Sequence, residues 1–301
     1  MSHALTHASG AGSRRSSLLG CALALLGAGP AGAVELSTDV TVNVGGVVAA
    51  DEAVVADIGG TAVRVDLGAL PRGADLIAFA RAANGDALFT LDTAVALPGG
   101  AFATPRDVVR WDGAVHAIEL RGADRGIPVG ARIDAIAVSE GDLLLSFDVT
   151  VTLGGVTAAD EDLLRLDGTQ PDVWSLAFDG SAHGIARGAD LDAADAIPGG
   201  PLALSFDVSG SIGGIPFADE DVLAFAPANG GWSKRYDGSA RHAALAAGDV
   251  DAVAVPEPLG AGLAAAAALV LLRTRRSTRS SDVELRRSVA RDTQRRPRRS
   301  P

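Results

Sequence analysis

Two acidic triplets stand out for the chemistry they could do: Asp160-Glu161-Asp162 and, 59 positions later, Asp219-Glu220-Asp221. Each is preceded by another carboxylate of the same stretch, Asp148 and Asp207. Hard oxygen ligands gathered in number are what Ca²⁺ requires, so Asp148, Asp160, Asp162, Asp207, Asp219 and Asp221 are the candidate metal ligands. The spaced loop in which alternate Asp residues and a distal Glu wrap the ion is absent. Asp39 and Asp92 match Asp148 and Asp207, giving four carboxylates at spacings of 53, 56 and 59. Drawn together around a channel, four such groups would repel, and a cation would relieve the repulsion. The competing reading gives each Asp to its own turn, where the side chain accepts from nearby backbone N–H groups. Both readings stay open from the sequence.

Paired carboxylates could also serve hydrolysis. Spacing alone selects no pair, because residues 34–255 hold 27 Asp and 6 Glu against 13 basic residues. Other chemistry has little to draw on. His3 and His7 lie at the extreme N-terminus, and His116, His183 and His242 occupy unrelated positions when the chain is aligned with itself. With Cys21 the only cysteine, a zinc site of ordinary ligands is not expected. No G-x-S-x-G elbow, P-loop or dinucleotide fingerprint occurs. Gly154-Gly155 and Gly213-Gly214 read as hairpin turns. Trp111, Trp174, Trp232 and Tyr236 could stack on sugars, yet they fall at strand positions where core packing accounts for them. The expectation is a non-enzymatic protein with no catalytic residue. The alternative is a carbohydrate-active or other hydrolytic protein using Asp pairs. A body of net charge −20 (33 acids against 13 bases) repels phosphate, so nucleic acid is not an expected partner.

The elements that must position these residues emerge from self-comparison. Four copies of one unit appear, at about residues 34–86, 87–142, 143–200 and 201–255. The third reads "LLLSFDVTVTLGGVTAADEDLLRLDG", "VWSLAFDGS", "ADLDAADAI"; the fourth reads "LALSFDVSGSIGGIPFADEDVLAF", "GWSKRYDGS", "GDVDAVAV". Each unit supplies four short strands separated by Gly pairs and Asp-Gly steps. Leu143, Leu145 and Phe147 point to one face and Leu144 and Ser146 to the other, the pattern of a sheet covered on both sides. Sustained helical periodicity is absent from the repeats. The expected fold is all-β, a four-bladed β-propeller, with a β-solenoid or sandwich as the alternative. The first unit lacks a leading "LDA" strand and the last ends on a spare one, residues 250–255. Pairing that last strand into the first blade would leave no open sheet edge. An aromatic content of 4% is low for blades packed face to face.

The two ends carry address rather than fold. Arg14 and Arg15, an apolar run and Ala31-Gly32-Ala33 form a secretory signal over residues 1–33, cut after Ala33. The mature chain then holds no cysteine, and an exported body must be stable without disulfides. At the other end, Pro256, Glu257 and Pro258 precede the uncharged run Leu259–Leu272 and the cluster Arg273, Arg275 and Arg276. This order, over about 20 residues, resembles the PEP-CTERM sorting signal of exported bacterial proteins, and the acidic repeat resembles one found upstream of that signal. The resemblance implies a single C-terminal hydrophobic helix over 256–276 that enters the membrane, processing by an exosortase-type enzyme, and a destination at the cell surface or in an exopolysaccharide matrix. The apolar run of 14 residues would span about 21 Å as helix, short of a ~30 Å hydrocarbon core. Residues 277–301 form a basic tail after the Arg cluster where such signals usually stop; a retained single-span anchor is the alternative to release. The function expected from all this is a surface- or matrix-associated structural or adhesive β-repeat protein, with exopolysaccharide as a candidate partner.

Overall fold

The computed structural model describes residues 33–170 and 172–255; the leader through Gly32, the sorting segment, the hydrophobic helix expected within it and the basic tail lie outside the described residues. Four antiparallel four-stranded sheets form a ring, a four-bladed β-propeller. From the axis outward, the first blade is Ala252–Ala254, Val34–Ser37, Val55–Ile58 and Thr61–Arg64. The second is Leu76–Arg81, Ala87–Leu91, Val108–Trp111 and His116–Leu120. The third is Ile133–Ser139, Asp142–Phe147, Leu163–Leu166 and Trp174–Phe178. The fourth is Ala193–Ala196, Leu202–Ser205, Val222–Ala226 and Gly231–Tyr236. Closure by the last strand is as expected: Leu36 pairs with Val253 and Ser37 with Ala252 in an antiparallel register. Each sequence unit is therefore offset from a blade by one strand, its "LDA" segment serving as the inner strand of the next blade.

Both faces of each blade are apolar because each packs on a neighbour. Leu145 and Phe147 face Ala78, Ala80 and Val108 of the second blade, while Leu144 joins Leu204 and Phe206 of the fourth. Four inter-blade cores result, one at each seam. The scarcity of aromatics finds its reason here. Four inner strands must converge at the axis, and they do so through Ala78, Ala80, Ala135, Ala137, Ala194, Ala196, Ala252 and Ala254, all buried. Larger residues would hold them apart.

Two features depart from the four-strand reading of the unit. A two-stranded hairpin rises between the second and third strands of every blade; in the third blade it pairs Val151–Leu153 with Val156–Ala158. Its turn is Gly154-Gly155 at φ +57° and +84°, the left-handed conformation that a two-residue hairpin needs and that glycine adopts without strain. Single helical turns also follow the outer strands, among them Gly122–Arg125 and Gly238–Arg241. Among the described residues, no helix is long and apolar enough to cross a membrane.

Candidate functional site

Each inner strand is entered through the same kind of sequence: Asp75-Leu76-Ile77, Arg132-Ile133-Asp134, Asp190-Leu191-Asp192 and Asp249-Val250-Asp251. The middle residue of each is fully buried. Neighbours in an extended chain point to opposite sides, so the two flanking residues turn the same way. All of them but Asp249 border a cavity of about 210 Å³ at the axis, with Asp39 and Asp148 on its edge. Arg132 is the one cation lining it, and Asp148 holds that guanidinium, Nε to Oδ2 at 2.8 Å.

Four carboxylates at this mouth keep a buried oxygen without a partner. Asp134 is 6% exposed, and neither of its side-chain oxygens has a hydrogen-bond donor. Asp75, Asp190 and Asp249 occupy one repeat position, and each keeps Oδ1 buried and unpartnered. Asp192, Asp249 and Asp251 each place a carboxylate oxygen within 4.8 Å of the other two. Among the described residues, no other group of three ligating side chains is so placed.

Crowded acids with little water hold their protons. Burial, then the charges of Asp51 and Asp92, push Asp75 up to about 7. Burial and Asp75 push Asp251 up to about 8. Burial is also the leading cause that raises Asp190, Asp192, Asp249 and Asp134, followed for Asp192 by the charge of Asp249 and for Asp134 by that of Asp190. The mouth thus stores protons that a neutral-pH solution only partly removes.

The ring of Asp39, Asp92, Asp148 and Asp207 stands at this end of the propeller, but as clamps. Their Oδ1 atoms accept from the backbone N–H of Asp249, Asp75, Arg132 and Asp190 at 2.8, 2.8, 2.7 and 2.8 Å. Each ties the second strand of its blade to the entry of the inner strand. The triplets are clamps of a second kind. Asp162 accepts from Ala159 N and Gly180 N, both at 2.9 Å, and Asp221 accepts from Ala218 N and Gly238 N at 2.9 and 3.0 Å. Asp107 does the same for Thr104 and Gly122 in the second blade, and the first blade has Ala53 instead. Gly180 and Gly238 are required there: a Cβ on either would run into the carbonyl of Glu161 or Glu220.

The carbonyls of Asp160 and Asp219 accept from Leu191 N and Val250 N of the next blade, at 3.1 and 3.4 Å, so the triplet loop also links blades. Of the six candidate ligands, Asp148 lines the mouth. The charges of Asp160 and Asp219 act on the mouth carboxylates Asp190 and Asp249. Asp162, Asp207 and Asp221 are held by backbone N–H groups.

The remaining polar residues disperse. His116 Nε2 lies 2.7 Å from the Leu67 carbonyl, His183 stacks on Phe178, and His242 Nε2 is 3.2 Å from Asp57 Oδ2. Tyr236 donates to the same fully buried Asp57 at 3.0 Å. Trp174 is buried in the core between the second and third blades, Trp232 packs on Phe225, and Trp111 packs on His116. A depression of about 290 Å³ beside Glu52, Arg64 and Leu67 gathers no comparable set of like groups.

No protein-family model and no curated protein matches the chain. Among solved structures, it is similar to the extracellular domain of a hybrid two component system from B. thetaiotaomicron, at 10% identity over 62% of this chain and 19% of that one, with a TM-score of 0.29. A protein of unknown function from Bacteroides caccae matches at 13% identity over 67% and 56% of the two chains, TM-score 0.29. Virginiamycin B lyase from Staphylococcus aureus matches at 9% identity over 68% and 69%, TM-score 0.30. The match spans about a fifth of the length of that extracellular domain. Similarity at this level carries no argument about activity, and the site rests on its own geometry.

Proposed function

We propose that the protein is an exported, non-enzymatic propeller that serves as a structural or adhesive module of the cell surface or surrounding matrix. The observation that carries this reading is the use made of the recurring side chains. Asp39, Asp92, Asp148 and Asp207 pin each inner strand to its blade, and Asp107, Asp162 and Asp221 pin the outer turns of the second, third and fourth blades. Residues repeated to lock a ring belong to a scaffold. The export half rests on the N-terminal leader and on the order of Pro256, Glu257, Pro258, the apolar run and the Arg cluster. The described body ends one residue before that motif, with Val255 N donating to Asp195 at 2.7 Å. Sorting by an exosortase-type enzyme would then act beside a folded domain.

The test compares the full chain with a Pro256→Ala, Glu257→Ala, Pro258→Ala variant in a host that has the sorting enzyme. Surface protease digestion and the mass of the product are read together. A shortened wild-type product at the surface, with the variant left at full mass in the membrane fraction, supports the reading. Identical distribution and mass of the two sink it.

A hydrolytic reading draws on one observation. Asp251 and Asp75 are carboxyls raised to about 8 and 7 in an open mouth, the condition of a general acid. Turnover of a polysaccharide that is lost in Asp251→Asn would favour it over the scaffold.

A further inference from the structure

We propose that the axial mouth is a Ca²⁺ site, with Asp192, Asp249 and Asp251 as its ligands and the buried Asp134 facing the same cavity from the third blade. The proposal is independent of where the protein is exported. Burying a carboxylate without a donor is costly, and native proteins compensate nearly every such group. Asp134 has both oxygens in that condition while 6% exposed, and it borders the same cavity as Asp192 and Asp251. Hydrogen bonds inside the protein do not relieve it, and the one nearby cation, Arg132, is turned to Asp148. A bound ion would.

Calcium fits the spacing. Ca²⁺ takes oxygens at 2.3–2.6 Å, so ligands on opposite sides of one ion lie up to about 5 Å apart. The oxygens of Asp192, Asp249 and Asp251 fall within 4.8 Å of one another. The first three blade entries past Ile77 supply Asp134, Asp192 and Asp251, whereas Ile77 offers no oxygen. Water would fill that side, as the variable coordination of Ca²⁺ permits.

The origin of the ligands gives the ion a consequence. Asp249 and Asp251 lead into the strand that closes the ring, whereas Asp192 and Asp134 belong to the fourth and third blades. An ion held by Asp192, Asp249 and Asp251 joins the closing strand to the fourth blade, so its binding would stabilise the closed ring. Protons held by the mouth compete with the ion and must leave when it enters.

The experiment is calorimetric titration of the full-length chain with CaCl₂ near pH 8 and again near pH 6. Asp192→Asn with Asp251→Asn is the test variant, and exposed Asp124→Asn is the control. Expected are one ion per chain, proton release on binding, weaker binding near pH 6, and a loss of at least about 100-fold in the double variant but not in the control. Absence of binding up to about 10 mM CaCl₂, or undiminished binding by the double variant, overturns the proposal. Should the double variant fail to fold, the single variants Asp192→Asn and Asp251→Asn are titrated in its place, and undiminished binding by both overturns the proposal.

Discussion

Asp162 and Asp221 each satisfy two backbone N–H groups that would otherwise be enclosed without an acceptor, and both carboxylates are less than 10% exposed. Asp162→Ala should therefore cost about 3 kcal/mol in a urea unfolding experiment, since each stranded buried donor costs roughly 1–3 kcal/mol. A loss below about 1 kcal/mol would mean that the clamp contributes little. Asp192→Asn should behave in the opposite way, holding the stability of the chelated protein, because burial and the charge of Asp249 already keep that carboxyl protonated and an uncharged amide takes its place. The contrast marks what was legible at this scale. Repetition singled out Asp162 and Asp221, and the turn-binding reading of such residues describes where they lie. The mouth residues Asp192, Asp249 and Asp251 also had a signal, the Asp-x-Asp alternation in "ADLDAAD" and "GDVDAVA". Alternation says that two side chains share a face. It does not say that the face is the axis, which depends on which of four strands is innermost.

At the scale of elements, ring closure was legible from counting strands, because one strand was missing at the start of the chain and one was left over at its end. The inter-strand hairpins were legible only as turns, at Gly154-Gly155 and Gly213-Gly214. Their strands are two or three residues long, too short to read as a sheet of their own. The closing strand is also the element most open to attack. Val253 is fully buried, pairs with Leu36, and lies in the core shared by the first and fourth blades. Val253→Asp would put an unpaired charge there, at a cost of several kcal/mol. Losing the strand would bare the edge of Val34–Ser37, which another copy could pair. The expected result is a protein that unfolds at lower urea and forms dimers or larger species by light scattering. A monomer of unchanged midpoint would show that closure is dispensable.

At the scale of the whole molecule, the axial acids make stability a function of pH. Asp75, Asp195 and Asp251 stand at about 7, 6 and 8 in the folded protein, against 3.8 ordinarily, with burial the first cause of each. A folded pKa above the unfolded one means that the folded state binds more protons between the two values. Its stabilising contribution is complete below the unfolded pKa and is lost as pH rises through the folded one. Carboxylates shifted the other way, Asp112, Asp167 and Asp179, are held low chiefly by hydrogen bonds from their own turns, at exposed positions. They act below the ordinary carboxylate range and leave the higher window to the axial group.

In the presence of chelator, the melting temperature of the full chain should fall by several degrees between about pH 5 and pH 8.5, at roughly 2–4 °C per kcal/mol for a body of this size. Saturating Ca²⁺ should flatten that slope, because an ion in the mouth replaces the protons whose loss destabilises the ring. Asp251→Asn should flatten it in part without any ion. Scanning calorimetry across the window separates the outcomes, and a melting temperature that climbs with pH in chelator would refute the account of the mouth as a store of buried, mutually repelling acid.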